Sequence, residues 1–412
     1  MEEPLGLLQS GNVVGHPLAS QPTARPQPTT LVPVAATFVL IGLFVGAWAV
    51  SIPEVERALG GGPGRLGLAL TVALGLASVA NSWGGALAER RGTSRAMAVT
   101  LTIWAVAAAI GALAPAPVGL ALAIVVVYTV FGPVDVVANV AATAALADQP
   151  GRLVRIHALF NGGGALGAAI AGVLLLVLGA WSWRLAWAAT AALGLGLAVW
   201  ASRSRLPAGA AGDHVGVAEG VRILHREGLI PVALAFGLGA MVEGGITTWG
   251  VLQLRDQVGA GVLVGALSSV LGYAVAFIAR MSVGRVQTRR GARQVLVTGT
   301  ALAAVGLTML AFAPVTAVAA AGLVLAAGGV SVTWPLLMSD VGRGRPRPGA
   351  LVGALSSVGY VGLVVGPGLI GVIAGWFGLT VGIALLAAGV AVVPALLALR
   401  WRYERAEERL SG

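Results

Sequence analysis

Apolar positions along this chain come in blocks rather than in the one-sided stripe of a soluble helix. Twelve blocks of about 20 residues can be marked, each long enough as a helix to cross roughly 30 Å of hydrocarbon. They cover 33–52, 65–87, 96–114, 117–141, 154–178, 184–201, 230–250, 262–283, 294–313, 316–337, 350–374 and 377–399. The pattern predicts an all-α membrane protein of twelve transmembrane helices in two six-helix bundles. The longest polar break, 202–229, falls between the sixes and carries Arg203, Arg205, His214, Glu219, Arg222, Arg226 and Glu227. The expected organisation is a disordered cytoplasmic tail over 1–32, one bundle over 33–201, and a cytoplasmic linker over 202–229. A second bundle follows over 230–400, then a tail over 401–412. Part of the linker is expected to lie on the membrane as a surface helix. Residues 1–30 lack the basic and apolar segments of a signal peptide, so the first span is read as its own insertion signal.

The two halves copy one another at an offset of 199 residues. Gly85, Arg90, Arg91 and Gly92 recur as Gly284, Arg289, Arg290 and Gly291, each set in a short basic turn between apolar blocks. Gly163, Gly167 and Gly172 of the fifth block recur as Gly362, Gly366 and Gly371 of the eleventh. Glycine in a span lets helix backbones approach closely. Its recurrence predicts smooth faces at equivalent places, where helices slide or rock.

Composition agrees with the blocks. The 412 residues are 57% hydrophobic and only 10% charged, with mean hydropathy +0.90. Such a chain has too little polar surface for water. There is no cysteine and no lysine, so all 26 basic residues are arginine. The net charge of +10 is explained by topology rather than by nucleic acid. With the N-terminus inside, the cytoplasmic segments hold 22 arginines, Arg280 among them, and the outer side holds Arg57, Arg65, Arg184 and Arg255. That asymmetry is a positive-inside signature, and it sets most arginines against the anionic leaflet. The expected location is the cytoplasmic (plasma) membrane, with both termini cytoplasmic.

The chain resembles the major facilitator superfamily. The first basic turn reads Gly85-x-x-x-Glu89-Arg90-x-Gly92-x-x-Arg95. It has Glu where the family has Asp, and one residue more before the last Arg. The second copy supplies Gly284, Arg285, Arg289, Gly291 and Arg293. The resemblance covers roughly residues 33–400. It implies alternating access about a central cavity, with these two loops acting in a cytoplasmic latch, and a monomer. Proton-driven drug exporters of the family carry an Arg in span 4 and a Gly-Pro signature in span 5. Span 4 here has no Arg, and Gly366-Pro367 lies in span 11 instead. The run from Asp135-x-x-x-Asn139 to His157 and Gly163 is similar to a little-characterised bacterial branch near the sugar:proton symporters.

Polar groups inside spans are costly and mark function or locked packing. Asp135 and Asn139 share one face of span 4, and His157 and Asn161 share one face of span 5. The two pairs are expected to face each other; a His beside an Asp suits proton traffic. Glu243 lies near mid-membrane in span 7, flanked by Gly244 and Gly245, with Thr247 and Trp249 following. The glycines suggest a local break that frees carbonyls to the cavity. Trp249 is read either as a stacking surface for substrate or as an interface residue. Tyr128, Ser356, Ser357 and Tyr360 are further cavity candidates. Glu54 and Glu56, after Pro53, read as extracellular. Trp48, Trp83, Trp181, Trp183 and Trp376 read as interface anchors. Asp340 reads as ending span 10.

No phosphate loop, cysteine site or metal-binding His spacing is present in the sequence, so neither an enzyme nor a cofactor is expected. The expected function is secondary active transport of a small solute, proton-coupled through Asp135 or Glu243. With no Arg assigned to the membrane interior, the solute is expected to be neutral or weakly polar. A drug or metabolite efflux antiporter, and a non-transporting membrane sensor or scaffold, are the alternatives.

Overall fold

The computed structural model describes residues 29–146, 149–208, 217–342 and 348–411. The tail over 1–28, His214, and Arg343, Arg345 and Arg347 lie outside them. The described chain is a run of helices: α1 (Val32–Leu59), α2 (Gly62–Arg91), α3 (Thr93–Leu113), α4 (Pro117–Leu146), α5 (Pro150–Leu178) and α6 (Trp183–Arg203). After the linker come α7 (Val217–Arg226), α8 (Ile230–Leu252), α9 (Val262–Arg290), α10 (Ala292–Phe312), α11 (Thr316–Val330), α12 (Thr333–Gly342), α13 (Pro348–Phe377) and α14 (Leu379–Ser411). Among the described residues, eleven spans are long and apolar enough to cross a membrane, and twelve when the bent pair Gly62–Ala77 and Val79–Arg91 is counted as one.

Two six-helix halves result. They meet where α2 packs on α13, α5 on α9 and α1 on α8. The 199-residue repeat is visible as geometry. Gly92 and Gly291 both adopt positive φ, 81° and 79°, just before α3 and α10. That left-handed conformation costs a residue with a Cβ more than it costs glycine. The turn therefore reverses the chain in the same way in each half.

The paired glycines divide between two tasks. A Cβ at Gly163 or Gly167 would collide with the carbonyl oxygens of Val39 or Leu43 in α1. In the other half, Gly362 and Gly366 stand against the carbonyls of Gly237 and Met241 in α8. These four hold helices together inside one half. The third of each set faces the other half: Gly172 meets Ala266 of α9, and Gly371 meets Gly67 of α2. Of the six, only that last pair sits on the seam between the halves.

Two features differ from the sequence pattern, and the linker holds a helix as expected. Span 10 is broken at Ser331 and Val332 into α11 and α12. Pro335 has no N–H for the Ser331 carbonyl four residues back, and its ring crowds that carbonyl. The linker's surface helix is α7, whose Leu224 is buried and whose Gly220 rests against Ala354 of α13. Beyond Arg400, α14 continues as helix to Ser411.

The tryptophans also sort differently. Trp83, Trp181 and Trp376 are exposed. Trp48 and Trp183 are buried, 1% and 3% exposed, and are not interface anchors. They belong to an aromatic core with Phe44, Trp104, Tyr128 and Trp187, whose ring centroids lie 5.1–6.3 Å apart. Spacings of this kind favour edge-on and tilted pairs.

Candidate functional site

Two polar clusters occupy the apolar core. The first crosses between the halves. Tyr360 of α13 donates its hydroxyl to Asp135 Oδ2 of α4. Asn139 donates Nδ2–H to the Tyr360 hydroxyl at 3.3 Å and to the Asp135 carbonyl at 2.9 Å. His157 of α5 lies with Nε2 2.8 Å from Asn139 Oδ1. An amide oxygen only accepts, so the proton sits on Nε2. The result is a directed chain, His157 to Asn139 to Tyr360 to Asp135, whose side-chain partners of the carboxylate are neutral. Phe38 and Trp334 close it from the sides, with ring centroids 5.2 Å from His157 and 6.0 Å from Tyr360.

The second cluster belongs to the C-terminal half. Arg280 of α9 donates Nη2–H to Glu243 Oε1 of α8 at 2.5 Å. Its Nε reaches the Ser331 carbonyl at 3.3 Å, the same carbonyl that Pro335 leaves without its helical donor. One arginine therefore balances a part-buried carboxylate and caps a broken helix. Arg280 is 13% exposed along its side chain and lies within a span. This corrects its assignment to the cytoplasmic surface and the expectation of no intramembrane Arg. The sign was present in the sequence, since Arg280 falls inside its own marked span at 262–283.

A small cavity of about 40 Å³ touches Glu243 of this ion pair. Asn161 of the N-terminal half lines it opposite Glu243, Thr247, Ser268, Ser269 and Tyr273. Asn161 Nδ2 and the Tyr273 hydroxyl are buried and have no protein partner. Such groups are costly unless satisfied. The space admits roughly two water-sized groups. Asn161 therefore faces the Glu243 cavity, while its helix neighbour His157 faces Asn139.

Other candidates take structural places. Helix α8 runs unbroken through Gly244 and Gly245, so no carbonyls are released there. The glycines let Leu363 and Leu386 approach instead. Thr247 donates back to Glu243 O and Gly244 O at 3.1 and 2.9 Å, a local bond that leaves the helix intact. Trp249 is neither a stacking surface nor a belt residue. It is fully buried and donates Nε1–H to Pro367 O at 2.9 Å. Ser356 and Ser357 bond their own helix at Val352 O and Gly353 O.

At the arginine-poor end, Glu54 and Glu56 are buried rather than solvated, because α1 continues through Pro53 to Leu59. Glu54 accepts from Arg57 at 3.3 Å and from Arg255 at 2.6 Å. Arg255 lies in a π-helical turn, Gln253–Gln257, that follows α8. The Arg255 bond thus ties the two halves together at this end. Gly64 against Gly375, and Thr71 against Gly368, seal the seam beside it. At the opposite, basic end, Glu89, Arg90, Arg95, Arg285, Arg289 and Arg293 are exposed, as are Gly92, Gly284 and Gly291, while Gly85 is buried. Arg293 stacks over the Trp401 ring at 4.3 Å.

The family model described as Major Facilitator Superfamily matches residues 34–348. An uncharacterised MFS-type transporter of Yersinia pestis is 26% identical over 370 residues, 87% of this chain and 91% of that protein. Among solved structures, a bacterial homologue of the human lysosomal transporter Spinster superposes with TM-score 0.71 at 16% identity, over 90% of this chain and 96% of that one. A D-xylose–proton symporter gives TM-score 0.66 at 14% identity, over 89% and 96%.

Proposed function

The chain belongs to the major facilitator superfamily, and on that premise we propose that it carries a small neutral or weakly polar solute across the cytoplasmic membrane by alternating access. A proton taken up and released at Asp135 drives the cycle. The basic end faces the cytoplasm, as the arginine asymmetry favours.

The bond between Asp135 and Tyr360 carries this reading. It joins a carboxylate of one half to a hydroxyl of the other. Ionised Asp135 accepts from Tyr360. A protonated carboxyl presents a donor as well and weakens the reason for that contact. Proton binding at Asp135 is thereby felt at the seam between the halves. His157 and Asn139 extend the chain and give the proton a route. Glu243 is the poorer acceptor, because protonating it strands the Arg280 charge in the core.

The solute's polar group is held at Asn161 and Tyr273, whose free hydrogen-bonding atoms face each other's half. Arg280 is neutralised by Glu243, so the cavity offers no spare cation to an anionic solute. The basic loops at Glu89, Arg90, Arg289 and Arg293 tune the balance between the two states. Exposed charges are worth about 0–1 kcal/mol each, enough to bias a near-even equilibrium.

The test is a solute panel on reconstituted vesicles, with and without an imposed pH gradient. Gradient-driven accumulation of a solute by the native chain, abolished in Asp135→Asn, supports the reading. Accumulation that ignores both the gradient and the substitution removes Asp135 from it.

A further inference from the structure

A cavity of about 890 Å³ lies apart from the central one. It is a groove on the lipid-facing flank of the C-terminal half, between α9, α10 and α11. Its walls are apolar and open outward: Leu267, Leu271, Val275, Val286 and Leu302 are 38–52% exposed. Along α9 it runs from Val264 to Arg290. At 1.5 Å per residue that is roughly 39 Å, the full thickness of a bilayer.

The groove has one polar mouth. Arg290 of α9 and Gln294 of α10 line it at the basic end, and both are exposed. Arg289 and Arg293 stand beside them at the same turn. The opposite mouth, between Val264 and Ala320, has no charge in its lining. A site with a cationic and amide rim above a long apolar trough matches one kind of occupant.

We propose that this groove binds an anionic two-chain phospholipid. Its phosphate sits against Arg290 and Gln294, and one acyl chain lies along Val286, Val295, Thr298 and Leu302 towards Val275. Arginine suits phosphate through its forked donors, and the amide of Gln294 adds a further donor. From Arg290 to Val275 is fifteen residues, roughly 22 Å of helix, which accommodates one chain within one leaflet. The trough wall is also the wall of the central cavity, for Ser268 lines both. The lipid thus braces the helix that carries Arg280 and Tyr273.

The test uses delipidated protein in detergent, with phosphatidylglycerol or phosphatidylethanolamine of the same acyl chains added back and counted by native mass spectrometry. The native chain retains one phosphatidylglycerol in preference to phosphatidylethanolamine. Arg290→Gln weakens that binding about fivefold, the worth of one arginine near an anionic headgroup. Thr298→Phe, which fills the trough at an exposed position, weakens it for both lipids. Arg285→Gln, on the same turn but outside the groove, leaves it unchanged. Melting temperatures of the three variants, matched to the native chain, show that each is folded. Equal retention of the two lipids overturns the proposal. So does binding indifferent to both Arg290→Gln and Thr298→Phe, or an equal loss in Arg285→Gln, which would mean diffuse charge attraction only. A neutral amphiphile displacing phosphatidylglycerol with higher affinity would make the groove a solute site instead and would also overturn it.

Discussion

The two polar clusters share one apolar core but are wired differently. Asp135, Asn139 and His157 meet Tyr360 across the seam, through neutral partners. Glu243 and Arg280 meet inside one half, as a full ion pair. A contact across the seam must break if the halves rock. A contact within one half travels with it. Under the proposed cycle, the first cluster is the part that changes and the second is the scaffold that travels unbroken.

The sharpest break of this comparison is Arg280→Ala. It leaves Glu243 ionised and unpaired and strips the Ser331 carbonyl of its donor. Removing one partner of a fully buried pair costs about 3–5 kcal/mol, and this part-buried pair should cost somewhat less. The expected outcome is a large fall in melting temperature and yield by size-exclusion in detergent. Most of it should return in the double variant Glu243→Gln, Arg280→Gln. A single variant as stable as the native chain would show that the pair is not a scaffold.

Asp135→Asn should act the other way. The amide oxygen still accepts from Tyr360, so stability changes by less than about 1 kcal/mol. Gradient-driven accumulation in vesicles is lost, while solute exchange without a gradient persists. Loss of both, or of neither, would erase the distinction between the clusters.

Tyr360→Phe removes both bonds of the hydroxyl across the seam, the one to Asp135 and the one from Asn139. Such bonds are worth about 1 kcal/mol each, so transport should fall by no more than about thirtyfold, with stability lower by about 2 kcal/mol or less. Glu89→Gln, at an exposed loop position, should change the initial rate by less than about threefold. An effect larger than that of Tyr360→Phe would move control of the cycle from the seam to the loop.

Span number and repeat were legible because lipid enforces length and the copied turns kept their glycines. Gly92 and Gly291 reach the same φ from the same local sequence. The pairing of buried charges was not legible in the same way. Arg280 lies ten residues before Arg290 in a strongly basic region, and charge counts read such a residue as topology. Its partner is 37 positions away, and the carbonyl it caps exists only because Pro335 breaks span 10. Pro53 misled in the opposite direction. It reads as the end of a span, yet α1 passes through it and carries Glu54 to Arg255. Trp249 looked available for substrate because of its sequence neighbours. Its slot is made by Pro367 and Gly371 of another helix, which no local pattern reveals. The aromatic residues of α1 and α6 show the same limit: Trp48 and Trp183 lie near span ends in sequence but pack inward on Trp187.

The central claim is that the halves rock about the seam and that Asp135 reports the proton to it. The chain has no cysteine, so paired spin labels can be placed freely. One pair goes at exposed Leu68 and Trp376, beside the sealed end, and one at exposed Arg90 and Arg289, at the basic end. Pulsed electron–electron distances in lipid nanodiscs should show two populations at each end. Acidification should shift them in opposite directions, and Asp135→Asn should abolish that shift. One fixed distance at both ends, or a pH response that survives Asp135→Asn, would contradict the account.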